Sequence, residues 1–361
     1  MWDGNPLCDL LGVDHPIIQA PMAGSTTPQL AATVSNAGGL GSLGLASSAV
    51  DAADLQLAAF KSLSNRSLNA NFFCHAEPGE VAGAAEAMRE RLRPWYAAHG
   101  LGEVPVPSVP YRGFNAEHLE LIRRHRPRVV SFHFGLPAEE LFRAVKQTGA
   151  VVMSSATTVA EARWLEARGV DVVIAQGLEA GGHRGIFLSD DAAAQVGLFA
   201  LLPQVARAVR VPVVAAGGIA DGRGVAAAIV LGASGAQLGT AFLRCPEANV
   251  PAAHRAALAS ASDDGTRLTR LFSGRPNRVL RSPFMDEMRD AEELAAPFPS
   301  QSSLIAPLRR EAGRTGVVAH LAGQAAALTR EMPAAELVRA LIGETEQHLH
   351  GPGGGNRRGA V

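Results

Sequence analysis

Cysteine is scarce in this chain. Cys8, Cys74 and Cys245 are the only three, far apart and odd in number. They cannot all enter a disulfide framework, and no Cys-x-x-Cys or Cys/His spacing suggests zinc, so no bound metal is expected. A reduced, cytoplasmic setting follows from that usage. An excess of either charge is lacking as well: the formal net charge is −1. Nucleic acids and anionic membrane surfaces both call for clustered positive charge, so neither is an expected partner. The arginines of RRHRPR (123–128) and of NRRG near the end read as solvated local exceptions. Long apolar runs are missing too. No window reaches the roughly 18 uninterrupted apolar residues of a membrane helix. The start, MWDGNPLCDLLGVDHP, has no basic-then-apolar leader pattern.

What the chain does hold is a repeated short apolar run. Its 361 residues, 47% of them hydrophobic, suffice for one large core and a smaller one. PIIQAP (16–21), GLGSLG (39–44), LNANFF (68–73), RVVSFHF (128–134), AVVMSS (150–155), DVVIAQG (171–177), VPVVAAGG (211–218) and GAQLGT (235–240) read as strands. Continuous apolar runs, rather than alternation, mark strands buried on both faces, the habit of parallel sheets. Segments of helical character such as TPQLAATVSNAG and TVAEARWLEARG lie between them. Eight strands alternating with helices predict an α/β fold, a (β/α)8 TIM barrel over residues 1–244. An open doubly wound sheet is the alternative. Residues 245–348, where the rhythm stops, predict a smaller, mainly helical C-terminal domain, with 301–330 packing back on the barrel. The Gly-rich end, 349–361, is expected to be disordered. The stretch 77–114 is long for a connection and carries PVPSVPYRG, a proline-rich loop placed to fold over the barrel mouth.

A TIM barrel builds its site from loops at the C-terminal ends of its strands. PMAG (21–24) follows the first strand, Asn71 closes the third and His133 lies near the end of the fourth. AQGLEAGGHRG (175–185) follows the sixth and holds one histidine, His183, among Gly181, Gly182 and Gly185. Glycines let the backbone approach a ligand, so the ring is placed for chemistry rather than packing. Gly217 and Gly218 after the seventh strand, with Gly239 and Thr240 after the eighth, occupy the usual phosphate position of such barrels. The partial G-x-G-x-x-G at Gly39, Gly41 and Gly44 does not lie between a strand and a helix, which argues against a dinucleotide fingerprint. A mononucleotide such as FMN suits the barrel better, with backbone contacts near Met22 and Ala23 and amide hydrogen bonds from Asn71 and Gln176. His183 is a candidate donor to an anion, or base for an α-proton. His133, flanked by Phe132 and Phe134, is predicted by strand alternation to point opposite to them, into the barrel. Tyr111 is a candidate for the substrate entrance.

QAPMAGSTTPQLAATVSNAGGLGSLG, NFFCH, VVSFHFGLP, AQGLEAGGHRG, AAGGIADGRG, QLGTAFL and FSGRPNRVLRS together resemble the motifs of class I nitronate monooxygenases, in that family's order, from about residue 14 to 346. The resemblance implies one FMN held without a covalent bond, at Pro21, Met22, Ala23, Asn71, Gln176, Gly181, Gly182, Gly217, Gly218, Gln237, Leu238, Gly239 and Thr240. It implies His183 as the catalytic histidine, with His133 secondary. The substrates implied are a small nitronate or nitroalkane, such as propionate 3-nitronate, and O2, giving a carbonyl compound with nitrite or nitrate. A monomer or homodimer is expected. The EAGGH loop by itself is shared with FMN-dependent enoyl-ACP reductases. Two other readings therefore stand here: an NAD(P)H-dependent FMN reductase of the enoyl-ACP or quinone type, and a flavin-binding module without turnover. The segment 295–310 follows the family only loosely, and contact between it and substrate would change which nitronate is preferred.

Overall fold

The computed structural model of the chain describes residues 2, 4–79, 83, 85–189, 191 and 193–350. Eleven strands appear among them: β1 (Ile17–Gln19), β2 (Gly41–Gly44), β3 (Leu68–Phe73), β4 (Val129–His133), β5 (Val151–Ala156), β6 (Val172–Gln176), β7 (Gly182–His183), β8 (Val213–Ala216), β9 (Gly235–Leu238), β10 (Thr266–Thr269) and β11 (Asn277–Leu280). Eight of these form one parallel sheet in the order β1-β9-β8-β6-β5-β4-β3-β2. A bridge from Ile18 to Leu40, just ahead of β2, joins its two ends. The sheet is therefore a barrel, and its eight strands are the eight predicted apolar runs. The two-residue β7 lies outside it, so β8 and β9 are the seventh and eighth barrel strands.

The side-chain period of two decides what lies inside. Ile18, Val129, Val151, Met153, Val172, Ile174, Val214 and Ala216 pack together in the barrel interior. Their sequence neighbours, such as Ile17, Val130, Val152, Val173 and Ala215, pack outward against the helices. Leu7 and Leu11 of the helix Pro6–Leu11 join the interior group. That helix starts at an Asn5 cap whose Nδ2 also donates to Ser234 O, at the N-terminal end of β9. It plugs the bottom of the barrel. Continuing the inward phase upward places Asn71, Phe73, Ser131, His133, Ser155, Gln176 and Gln237 near the strands' C-terminal ends. The interior thus changes from aliphatic below to polar above, and that change defines the site.

The outer ring closes in an unexpected way. Seven of the helices that connect successive barrel strands pack around the sheet, among them Pro28–Asn36, capped by Thr27, and Gly222–Val230, capped by Asp221. The eighth place, between these two, is taken by Ala334–His350, which contacts both. Its Leu337, Val338 and Leu341 are fully buried in the strand–helix core. The expected boundary at 244/245 therefore does not divide the two cores. Residues 334–350 complete the barrel because their apolar face needs the groove left open after β9. The second core is instead built by Met88, Leu92 and Tyr96 from the 77–114 stretch with Leu271, Phe284, Leu304 and Leu308. Tyr96 OH donates to Leu304 O at 2.7 Å. The segment 301–330 is split between the cores, since Leu304 to Val317 lie in the second and Ala322 to Ala326 in the first. Beside its helices the second unit also holds strands: β10, β11 and β7 form a three-stranded antiparallel sheet there. Its register puts Asn277 opposite His183. Of the expected disordered tail, Leu349 and His350 still belong to the last helix, while 351–361 lie outside the described residues.

Candidate active site

The barrel mouth is organised by the loop after β6. Gln176 holds it at both ends of its amide: Nε2 donates to His183 O at 3.0 Å, and Oε1 accepts from Gly185 N at 2.8 Å. The glycines have a steric reason. A Cβ at Gly181 would stand 2.5 Å from Gly323 N, and Gly182 has φ +75°. The segment 322–324 lies across this loop, with Gln324 N donating to Glu179 O at 2.9 Å and Gly323 N to Thr240 Oγ1 at 2.9 Å. Glu179 itself caps the helix Leu198–Ala208, accepting from Leu198 N at 2.9 Å through both oxygens. It supports the fold of the loop.

Beneath the loop, Arg184 is 1% exposed. Its guanidinium donates to Gly177 O at 2.7 Å, Gln176 O at 2.9 Å and Gln195 Oε1 at 3.0 Å. Burial lowers its pKa to about 10, so it carries its charge at neutral pH. Buried Glu161 ties the next stretch down, accepting from Thr157 N at 2.6 Å and Phe187 N at 2.7 Å. The loop is thereby a rigid platform, fixed by polar groups that sequence spacing could not pair.

His183 and His133 meet on this platform. His133 Nδ1 lies 2.6 Å from Ser155 Oγ, and its Nε2 lies 3.1 Å from His183 O. His183 Nε2 lies 2.9 Å from Ser273 Oγ. The His183 ring stands among Phe73, Phe134 and Phe298, at centroid distances of 5.9, 5.9 and 5.4 Å. Alternation placed His133 correctly on the inward face but failed for Phe134. β4 ends at His133, and Phe134 has φ +71°, which turns its ring back to 4.5 Å from that of His133. A non-glycine residue in that region costs about 1–3 kcal/mol and is held by its surroundings. Tyr111 belongs to the same aromatic wall, 5.9 Å from both His75 and Phe298.

Burial sets the charge of these rings. Away from water the imidazolium form is disfavoured, and His183 is pushed down to about 3, with His133, Arg275 and His75 adding repulsion. His133, His75 and His254 are each pushed down to about 4, again mainly by burial. His183 therefore does not titrate near neutral pH, as its residue type alone suggested; it is a neutral ring there. Burial raises the Cys74 thiol well above its usual value, which leaves it inert. An acid sensitivity follows. These four histidines bind protons more readily in the unfolded chain, so stability present above the ordinary value of 6.5 is lost as pH falls from there toward about 4. The urea midpoint is expected to be lower at pH 5 than at pH 7.5; equal midpoints would refute the account.

The remaining predicted residues lie on three loops around the same mouth. Met22 N donates to Thr26 Oγ1 at 3.0 Å, folding PMAG into a tight turn with Pro21 and Ala23 at its open side. A Cβ on Gly239 would come within 3.7 Å of Met22 Sδ, so the loops after β1 and β9 adjoin. Gly217 and Gly218, at φ +111° and +69°, turn the chain against Ala180 and Glu179 of the histidine loop. Asn71 donates to Ser131 Oγ at 2.9 Å. Leu238 departs from expectation: its side chain is 1% exposed in the outer core, and its carbonyl accepts from Ala20 N at 2.8 Å. The helix start after β8 departs too. Asp221 and Glu344 accept from Gly224 N and Gly222 N at 2.9 and 2.8 Å, so that helix end already holds two carboxylates. An anion here would rest on the glycine turn. Ser273, Ser155, Arg184 and Phe298 were missed from sequence. FSGRP and the 295–310 segment were visible there, but nothing local said that they reach His183.

Comparison with known proteins identifies the family. The sequence profile of the family described as nitronate monooxygenase matches residues 5–344. A nitronate monooxygenase of Paraburkholderia phytofirmans is 42% identical over 350 residues, 95% of each chain. One from Pseudomonas aeruginosa is 42% identical over 346 residues, 93% of this chain and 97% of the relative. Among solved structures, nitroalkane oxidase from Streptomyces ansochromogenes superimposes with a TM-score of 0.86 at 39% identity, covering 94% of this chain and 98% of that one. Matched across its length in sequence and fold, the chain belongs to the nitronate monooxygenase family and is an oxidoreductase.

Proposed function

We propose that the barrel mouth holds one FMN without a covalent bond, and that the chain uses it to oxidise alkyl nitronates such as propionate 3-nitronate with O2. The observation that carries the cofactor reading is Gln237. Its Oε1 is buried at the end of β9 without a hydrogen-bond partner, beside the turns of Gly217–Gly218 and Gly239–Thr240. A buried unpaired amide oxygen costs about 1–3 kcal/mol, so it marks a place that a ligand donor would complete. The main chain of Met22 and Ala23, after β1, and the amide of Asn71, on β3, are the other contacts of this reading. Bound there, FMN would take electrons from the nitronate and pass them to O2. The products would be a carbonyl compound with nitrite or nitrate.

His183 supplies the anion contact. The Ser273 oxygen already receives the Asn277 amide at 3.1 Å and the Arg275 N–H at 3.4 Å. Its own hydrogen has two acceptors in reach, His183 Nε2 at 2.9 Å and Arg275 O at 3.3 Å. The nearer one takes it, which leaves the ring proton on Nδ1. No hydrogen bond joins Nδ1 to the described residues, so it donates into the mouth, toward a nitronate oxygen. A neutral donor suits this role because it binds the anion without a charge of its own to desolvate. The aromatic wall of Phe73, Phe134 and Phe298 excludes water around that contact, which strengthens it. His133 acts through the loop, holding the His183 main chain. Purified protein is expected to show flavin absorbance and nitronate-dependent O2 uptake. Absence of a flavin spectrum after reconstitution with FMN would end the cofactor reading, and a flavin spectrum without O2 uptake would end the substrate reading.

A further inference from the structure

Two histidines outside the site chemistry form a pair of their own. His254, in the helix Ala252–Ala259, and His320 lie with their rings nearly parallel, at a centroid distance of 4.4 Å and an interplanar angle of 3°. His254 is 6% exposed, and its Nε2 is buried without a hydrogen-bond partner. The Leu321 main chain hydrogen-bonds to the same ring, so His254 meets two successive residues of one segment. The two sides of the stack are held differently. On the His254 side, the Arg255 guanidinium donates to Ala248 O at 2.7 Å, Cys245 O at 2.9 Å and Val250 O at 3.2 Å, which anchors the helix start. His320 instead opens an irregular strap, 320–324, that crosses the histidine loop on single bonds. Leu280 N of β11 donates to His320 O at 2.8 Å, Gly323 N to Thr240 Oγ1 at 2.9 Å and Gln324 N to Glu179 O at 2.9 Å. Because β11 also pairs with β7, the strap bears on the strand that carries His183.

We propose that the His254–His320 stack is an acid-sensitive latch: uncharged, it clamps the strap over the histidine loop, and charged, it lets the strap lift while the barrel stays folded. Neutral rings at this spacing attract by close contact, whereas two imidazolium rings there would repel. The charges that act on the pair are themselves cationic. Arg255 acts on His254, and Arg309, from the helix Gln301–Arg310, acts on His320, so an arriving proton meets no anion among them. Burial is the largest influence on both rings, pushing His254 down to about 4 and lowering His320. Once the strap lifts, each ring returns toward its ordinary value of 6.5 and binds protons more readily. The closed strap is therefore favoured above 6.5, and that preference is lost as pH falls toward about 4. The latch depends on neither the cofactor reading nor the nitronate reading, although it acts on the loop that both of them use.

The test is amide hydrogen exchange of the full-length protein at pH 7.5 and pH 5, corrected for the intrinsic pH dependence of the chemistry. Gly323 and Gln324 report on the strap, and Ala236, whose N–H donates to Pro16 O at 2.9 Å, reports on the barrel. The strap amides are expected to exchange faster than Ala236 at both pH values, by about tenfold or more, which is the mark of local opening. Their opening is expected to rise by about ten- to thirtyfold from pH 7.5 to pH 5, the response of one ring moving between about 4 and 6.5. His254→Phe keeps a ring in the stack that cannot be charged, and should cut that rise to severalfold, with His320 still titrating. The double variant His254→Phe/His320→Phe should respond by less than about twofold and be better protected at pH 5 than the wild type, a gain that a misfolded protein would not give. A ring that only packs would leave the acid response unchanged. Equal acid responses in the wild type and His254→Phe, or strap amides that exchange no faster than Ala236, overturn the latch.

Discussion

Replacing His183 by phenylalanine is expected to lower kcat/KM for propionate 3-nitronate by about a hundredfold to a thousandfold, the cost of one donor to a reacting oxyanion in a dry site. Phenylalanine keeps the ring's place among Phe73, Phe134 and Phe298. Flavin content and Tm should therefore change little, and the loss should fall on the reaction. His183→Asn restores a donor from a shorter side chain and should recover part of the activity. Ser273→Ala separates position from chemistry. It leaves the imidazole in place but removes the hydroxyl 2.9 Å from Nε2, so both tautomers become accessible. A drop of about tenfold, from half-occupied tautomer and loosened orientation, is the expected result. The pH profile is a further discriminator. With His183 held down at about 3, no ionisation of this ring should appear in kcat/KM between pH 6 and 9. Full activity in His183→Phe, or a limb near pH 6.5 that vanishes in that variant, would refute the neutral-donor role.

The largest expected effect on stability belongs to Arg184→Met. Methionine fills much of the same space but leaves Gly177 O and Gln176 O without the donors that now lie 2.7 and 2.9 Å away. Each lost hydrogen bond to a charged group costs about 1.5–3 kcal/mol, so a loss of about 3–5 kcal/mol follows, with a Tm lower by on the order of ten degrees. Activity should fall with it, because the same carbonyls belong to the segment that carries Gln176 and His183. Arg184→Lys keeps the charge but not the fork, and a single ammonium cannot serve two carbonyls and Gln195 in the same geometry. It should lie between the two. An unchanged Tm in Arg184→Met would mean that the two carbonyls find other donors at no cost, and the rigid-platform account would fail.

The legible and illegible parts of this chain divide along a physical line. Buried strands of a parallel barrel are local signals: LNANFF and VVIAQ are largely apolar because both of their faces are covered, by the barrel interior and by helices. Turns with positive φ are local too, which is why the glycines of the histidine loop could be read before any contact was known. β7 carries no such signal. Two residues, one of them glycine, have no strand propensity, and they become a strand only because Asn277 and Arg278 pair with them. Pairing across that sequence distance is invisible to a window of ten residues. The closing helix Ala334–His350 reads clearly as a helix from its periodicity, yet its place as the eighth outer helix depends on a groove that exists only once the barrel has closed.

By itself, then, the sequence determined the eight-strand barrel and singled out His183, at the C-terminal end of its strands, as the residue proposed to meet a ligand, because each depends on burial pattern and backbone freedom over short stretches. Only the tertiary structure decided the state of the His183 ring. Its neutral charge comes from burial among three phenylalanine rings, its ring orientation from Ser273, and the seating of its loop from Arg184 and Gln176. Charge, tautomer and solvent access are properties of what surrounds a side chain, and those surroundings are assembled by contacts that the sequence does not place side by side.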